Sequence, residues 1–265
     1  MRERIKVTVT QLPQDAANLE AGWQALVAHV RQQESELVLL PEMPFYPWLF
    51  RELPVSPLAW ETAVAVHETW LPRLAELAPA VVATSRPVTV AGKRLNEAFI
   101  WEMDGGYRAL HHKHYLPDEP GFWEASWYHR GDPVFDPATV SLASGKEVRL
   151  GFLVCTELWF MEHARAYGQA GVQLLLNPRA TERQTRERWL VGGRAAAIIS
   201  GAYTLSANQW EGTEHPPMLG GQGWVVAPDG EVLVRTEDNA PFQSVEIDLA
   251  LADGAKQLYP RYVEG

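Results

Sequence analysis

The stretch Val148-Arg-Leu-Gly-Phe-Leu-Val-Cys-Thr156, a helical segment through Ala170, and the run Val172-Gln-Leu-Leu-Leu176 read as strand, helix, strand. Neither apolar run alternates with polar residues, which is the pattern of strands covered on both faces, as in a parallel sheet flanked by helices. Towards the amino terminus, Ile5 to Leu12 alternates as a strand does, and Leu19, Trp23, Leu26, Val27 and Val30 recur at helical spacing. Glu36 to Pro41 is a further buried-strand run, Leu58 to Leu77 a helix interrupted or ended near Pro72, and Ala80 to Pro87 a strand. Leu95 to Glu102 and Tyr107 to Lys113 flank the turn Asp104-Gly105-Gly106, and a long irregular segment runs from Leu116 to Pro137. Beyond the central unit, Arg186 to Ala202 predicts a helix, Tyr203 to Asn208 a strand, and Gly223 to Ile247 a hairpin turned at Pro228-Asp229-Gly230. Lys256 to Gly265 reads as a tail. Strands alternating with helices along most of the chain predict a layered α/β protein.

A chain of 265 residues without tandem repeats, low-complexity runs or linkers is expected to form one domain spanning residues 1–265. Its hydrophobic fraction of 46% against 21% charged residues is that of a globular protein with a large core. The formal charge of −10, from 33 acidic and 23 basic residues, argues against a nucleic-acid partner. The single cysteine, Cys155, excludes an intramolecular disulfide and a cysteine-based zinc cluster, and it favours a reducing compartment. Met1-Arg-Glu-Arg-Ile-Lys6 carries no apolar signal region, and no stretch is apolar enough to span a membrane, so a cytoplasmic protein is expected.

Cys155 lies where a buried strand gives way to a helix, in Phe152-Leu-Val-Cys-Thr-Glu-Leu-Trp-Phe160. A helix start favours a thiolate and offers unpaired amides to an oxyanion, whereas a lone intracellular cysteine is commonly just a small apolar filler. Glu42 ends another buried strand in Leu37-Val-Leu-Leu-Pro-Glu42, at the sheet edge where open α/β sheets bind ligands. Among Pro, Phe and Trp it is a candidate proton acceptor for a thiol, against the simpler reading of a solvated loop acid. Lys113, one of five lysines, stands in His111-His112-Lys113-His114-Tyr115 as a source of positive charge for an oxyanion. His112 and His114 share a strand face, but no carboxylate joins them at ligand spacing, so no metal and no cofactor are expected. Glu124 follows in Pro120-Gly-Phe-Trp-Glu124, wrapped in aromatic residues.

Taken together, Glu42 after Leu-Leu-Pro, Lys113 before His-Tyr-Leu-Pro-Asp-Glu-Pro-Gly-Phe-Trp-Glu, and Cys155 in Gly-Phe-Leu-Val-Cys-Thr-Glu-Leu-Trp-Phe resemble the nitrilase, or carbon-nitrogen hydrolase, superfamily. The order Glu, Lys, Cys and the separations of 71 and 42 residues match that family's triad. Asn177-Pro178, Gly193-Arg-Ala-Ala-Ala197, Ser206-Ala-Asn208 and Gly220-Gly-Gln-Gly-Trp-Val-Val-Ala-Pro-Asp-Gly230 resemble its later motifs. Within the superfamily, Lys113 through Gly131-Asp132 is most similar to the N-carbamoylputrescine amidase and N-carbamoyl-amino-acid hydrolase branches. Their second site glutamate falls on Glu124, with Glu119 as competitor. Tyr115 stands where those relatives often have His, and Thr156-Glu157 replaces their aromatic-acid pair.

The resemblance implies a four-layer αββα sandwich, paired face to face in a homodimer, with a tail around Pro260-Arg-Tyr262 that crosses to the neighbouring subunit. It implies a catalytic set of Glu42, Lys113, Cys155 and Glu124, acting on a small amide or N-carbamoyl substrate through an acyl-thioester. Two further readings stand beside this one: a nitrilase, which Thr156-Glu157 leaves open, and a non-catalytic binding subunit of the same fold. Phe45, Tyr46, Trp48, Phe122, Trp123, Trp127 and Trp159 are expected to rim the site or to pack an interface. Tyr46, Trp48, Trp123, Thr156, Trp159 and Arg179 are the substrate-binding candidates; Arg179 could pair with a substrate carboxylate, against the simpler reading of a surface or structural ion pair.

Overall fold

The computed structural model describes residues 4–211 and 219–263. The first half builds β1 (Arg4–Pro13), α1 (Ala16–Gln33), β2 (Leu37–Leu39), α2 (Pro57–Trp70), β3 (Val81–Val90), β4 (Lys93–Glu102), β5 (Gly106–His112) and the single-turn α3 (Glu124–Trp127). The second builds β6 (Ala138–Ser141), β7 (Glu147–Phe152), α4 (Met161–Gln169), β8 (Leu174–Arg179), α5 (Arg186–Ser200) and β9 (Tyr203–Trp210). It closes with β10 (Trp224–Val226), β11 (Val232–Arg235), β12 (Phe242–Asp248) and α6 (Leu249–Ala255).

Local chemistry sets the element ends. Asp15 caps α1 by accepting the amide of Asn18 at 2.9 Å. Ser56 caps α2 by accepting the amide of Ala59 at 3.2 Å, ahead of Pro57, whose missing N–H costs nothing in a first turn. Pro72 cannot donate into a continuing α-helix, and residues Leu71–Leu77 tighten into a 3-10 helix instead.

The strands form two halves. One runs β5-β4-β3-β2-β1-β12 and the other β6-β7-β8-β9-β10-β11, and parallel pairing of Gln11–Pro13 with Asn208–Trp210 joins them. Strands β1, β2 and β3 are parallel to one another, as are β7, β8 and β9. The period of two is visible in the packing. Leu37 and Leu39 face a core shared with Leu150, Phe152, Leu174 and Leu176 of the other half, whereas Val38 faces Trp23, Leu26 and Val30 of α1. Both faces of β2 are thus covered, which is why its sequence does not alternate. Helices α4 and α5 close the opposite side through Ala164, Tyr167, Ala196 and Ala197. The layers are helix, sheet, sheet, helix, as the resemblance implies.

Two expectations change. The hairpin is confined to β10 and β11, turned at Gly230 with φ +90°, while β12 leaves it and pairs antiparallel with β1 from Arg4↔Asp248 to Thr10↔Phe242. The buried run from Val148 leaves the sheet after Phe152, stays extended at Val154 and turns at Cys155, whose φ is +48°. The tail expected from Lys256 follows directly on α6, which is capped by Asp248, accepting the amide of Ala250 at 3.1 Å. Met1–Glu3 and the last two positions of the tail lie outside the described residues.

Candidate active site

Four chain segments meet beyond strand ends at one edge of the sandwich. Glu42 follows β2, and its backbone is held by the Arg179 carbonyl, which accepts its amide at 3.4 Å, and by the Gln209 side-chain amide, which donates to its carbonyl at 2.7 Å. Lys113 follows β5; its amide donates to the Asn96 carbonyl and its carbonyl accepts from Gly131, both at 2.9 Å. A Cβ on Gly131 would lie 2.1 Å from the carbonyl oxygen of His112, so this close approach admits only glycine. Glu124 opens α3, and Cys155 opens a 3-10 helix, Cys155–Trp159, beyond β7.

Glu42, Lys113 and Glu124 have no exposed surface. The Lys113 ammonium donates to Glu42 Oε1 at 2.8 Å and to Glu124 Oε2 at 2.6 Å. Asn96 Nδ2 also donates to Glu42 Oε1 at 2.7 Å, and the Tyr128 hydroxyl donates to Glu124 Oε2. Among the described residues, Glu42 Oε2 and Glu124 Oε1 are buried with no hydrogen-bond partner. Two carboxylates are therefore held by one ammonium, and each keeps an oxygen free for a proton or a ligand.

Burial alone would lower the Lys113 ammonium, but the charges of Glu124 and Glu42 hold it well above its usual range. Burial lifts Glu124 to about 7, against the pull of Lys113. Burial first, and the Glu42 charge second, push the Cys155 thiol far up, while Lys113 opposes them. The resting sulfur is a thiol, and it needs a base before it can act as a nucleophile. Its backbone is strained: φ +48° is rare outside glycine and costs on the order of 1–3 kcal/mol, which the surroundings must hold in place.

Cys155 and Glu124 open onto a cavity of about 350 Å³ walled by Pro117, Phe122, Trp159, Ala180 and Trp189, with Arg188 on its lining. Thr156, Trp159 and the rim acid Glu119 line it too; Glu124, rather than Glu119, bonds Lys113. Tyr46 and Trp48 flank a separate recess beside His67. Trp48 packs edge-on against Phe50 and leans on Phe122, and its indole donates to the Gly121 carbonyl at 3.1 Å. Trp123 packs in the same aromatic cluster, so these rings back the cavity wall rather than face its contents. Trp127 donates to the Glu52 carbonyl and Phe45 stacks on Trp70, both away from Cys155.

Arg179 is fully buried, and its guanidinium donates to Ser206 Oγ at 2.8 Å, to Thr181 Oγ1 and to the Gln222 carbonyl. With its donors spent inside the protein and no place on the cavity lining, it is not set to receive a substrate carboxylate. His112 faces Glu97 at 3.0 Å and His114 the Gly131 carbonyl at 2.7 Å. Sequence reasoning did not single out Asn96 and Tyr128, which complete the polar cluster. Asn96 stands next to Glu97 in a strand that also carries Lys93 and Arg94, so nothing in the local sequence set it apart. It also left Glu157 without a contact; that carboxylate is fully buried and bonded on every side.

The carbon-nitrogen hydrolase family model matches residues 6–257. The omega-amidase of Bos taurus is 27% identical over 245 residues, covering 89% of this chain and 84% of that protein. The glutamine-dependent NAD(+) synthetase of Rhodobacter capsulatus is 28% identical over 271 residues, covering 96% of this chain and 45% of the synthetase. The N-carbamoylputrescine amidase of Arabidopsis thaliana is 27% identical over 180 residues, covering 61% of this chain and 58% of that protein. This chain thus spans about half the length of two of these relatives and most of the third. Among solved structures, a carbon-nitrogen hydrolase from Helicobacter pylori G27 superimposes with a TM-score of 0.82 at 24% identity, covering 97% of this chain and 94% of that one.

Proposed function

The chain belongs to the carbon-nitrogen hydrolase family, and from that premise we propose that it hydrolyses the C–N bond of a small amide or N-carbamoyl compound through an acyl-thioester on Cys155. One observation carries this reading: a buried ammonium shared by two carboxylates, each with a bare oxygen, beside a cavity that reaches the strained cysteine.

Glu42 takes the thiol proton as Cys155 Sγ bonds to the carbonyl carbon. The carbonyl oxygen becomes an oxyanion, stabilised by the Lys113 ammonium and the backbone amide of Thr156. A preorganised donor of this kind commonly contributes about 3 kcal/mol. Glu42 passes its proton to the leaving nitrogen, the C–N bond breaks, and ammonia or an amine departs. Water then gives a proton to the same carboxylate and its oxygen attacks the thioester. The C–S bond breaks, the sulfur regains a proton, and an acid is released. Glu124, bonded to Lys113, holds the ammonium in place.

The substrate's far end meets Phe122, Trp159 and Trp189 and, among the described residues, Arg188 as the only basic side chain on the lining. The carboxylate-pairing role expected of Arg179 passes to Arg188 in this reading. The nitrile reading drew on Glu157, whose carboxylate is consumed by backbone amides and His111, so nothing at the site favours it. A free nucleophilic thiol fits a reducing compartment, and the cytoplasm is the location this reading takes for the enzyme. Exposed Leu258, Tyr259 and Tyr262 near the carboxyl end support pairing of two chains.

The test is ammonia release from amides, N-carbamoyl amino acids, N-carbamoyl amines and nitriles, with Cys155→Ala in parallel. Turnover of an amide or carbamoyl compound that vanishes in the variant is expected. Full turnover by Cys155→Ala would overturn the scheme.

A further inference from the structure

We propose that Glu157 is a positioning residue that, with His111, fixes the placement of Lys113 relative to Cys155; this rests on the reading of those two as the reacting groups. Glu157 Oε2 accepts the backbone amide of Val154 at 2.8 Å, and Val154 immediately precedes the nucleophile. Glu157 Oε1 accepts the backbone amide of His114 at 2.7 Å, and His114 immediately follows the lysine. One side chain therefore spans the two segments, with no second residue in between.

His111 braces the carboxylate, its Nε2 lying 3.0 and 2.9 Å from the two oxygens. The far nitrogen of its ring, Nδ1, is anchored 3.0 Å from the Val134 carbonyl. A buried carboxylate is costly unless its lone pairs are filled, and here both oxygens take a backbone donor and share an imidazole. Such a group has little freedom to shift, which suits it as a spacer.

Cys155 gives the spacer something to hold. Its left-handed backbone persists only if neighbours over-determine it. Glu157, the third residue of the short helix, reaches back to the amide of Val154 and closes that first turn. Loss of the clamp frees the elbow and the lysine segment together, and a shift of about 1 Å in reacting groups costs on the order of 100-fold in rate. Glu97 supplies a contrast: it contacts His112, on the other side of Lys113, at 3.0 Å, and it also bonds Tyr107 and Arg86, none of them in the Cys155 segment.

The experiment compares Glu157→Gln with Glu97→Gln. Glutamine keeps the volume but turns an N–H group towards one of the backbone amides. For Glu157→Gln, kcat is expected to fall roughly 10- to 100-fold with KM within about threefold of wild type, as for misplaced reacting groups rather than lost binding. Alkylation of Cys155 by iodoacetamide reads the elbow without turnover and, with one cysteine in the chain, reports a single site. Its rate is expected to change at least about fivefold in Glu157→Gln and less than about twofold in Glu97→Gln.

Wild-type kcat and alkylation rate in folded Glu157→Gln would overturn the clamp, as would equal losses in Glu97→Gln. Should Glu157→Gln fail to fold, His111→Gln, which leaves both backbone bonds to Glu157 in place, is judged by the same two readouts. Retained turnover in Cys155→Ala would strike the underlying mechanism, and the alkylation comparison would still judge the clamp.

Discussion

Lys113 has no contact with water, and an ammonium in that position persists because Glu42 and Glu124 lie 2.8 and 2.6 Å from it. Removing either partner leaves a buried charge under-compensated, a change that typically costs about 3–5 kcal/mol. Glu124 adds a pH dependence. Below about 4.5, its ordinary value, the carboxyl is protonated in the folded and unfolded chain alike; between there and about 7 only the unfolded chain ionises it. Its contribution to stability is thus full below pH 4.5 and is lost as pH rises through 7. The thermal midpoint of Glu124→Gln, measured against wild type, should therefore gain relative to wild type by at least about 3 °C from pH 4.5 to 7. A constant difference across that window would contradict the assignment. At the cavity mouth, Arg188→Ala should raise KM for carboxylate-bearing amides about tenfold and leave neutral amides within twofold, in steady-state ammonia release. Equal losses for both would remove Arg188 from substrate recognition.

Among the elements, α5 shows how tightly the helical layer is fitted. A Cβ on Gly193 would lie 2.1 Å from the Trp224 ring of β10, so Gly193→Ala should destabilise by about 1–3 kcal/mol in denaturant unfolding. Helix α2 carries a buried imidazole in the layer behind Glu42. His67 is held down to about 4 by burial, and its ring contacts the Ala63 carbonyl at 2.7 Å and the Phe45 amide at 3.4 Å. Its contribution is full above pH 6.5 and is lost as pH falls through 4, so His67→Gln should flatten the acid limb of a stability profile. These elements were readable wherever one strand or helix carried its own pattern, as α1 and β2 did. Cys155, Glu42 and Lys113 were readable because each follows a strand end and because their order carries a family resemblance. The pairing of β12 with β1 was not readable, since it joins segments more than 230 residues apart that have no shared local signal. Arg179 was misleading for the same reason. Its burial is decided by Ser206 on β9 and by Gln222, neither of which announces itself beside Asn177-Pro178.

Over the whole molecule, two halves of similar layering meet along β1 and β9, and the strand ends of both supply the site: Glu42, Lys113 and Glu124 from the first, Cys155 from the second. The charge of −10 suits an enzyme that meets small solutes rather than polyanions. Sedimentation should find a two-chain particle, and Tyr259→Asp with Tyr262→Asp should shift it towards one chain; a monomeric wild type would refute the pairing. The most direct test of the chemistry is intact-protein mass spectrometry on enzyme quenched with acid during turnover of an amide substrate. A mass increase equal to the acyl group, located on Cys155 and absent from Cys155→Ala, is expected. Continued turnover with no adduct, and an active Cys155→Ala, would contradict a thioester mechanism.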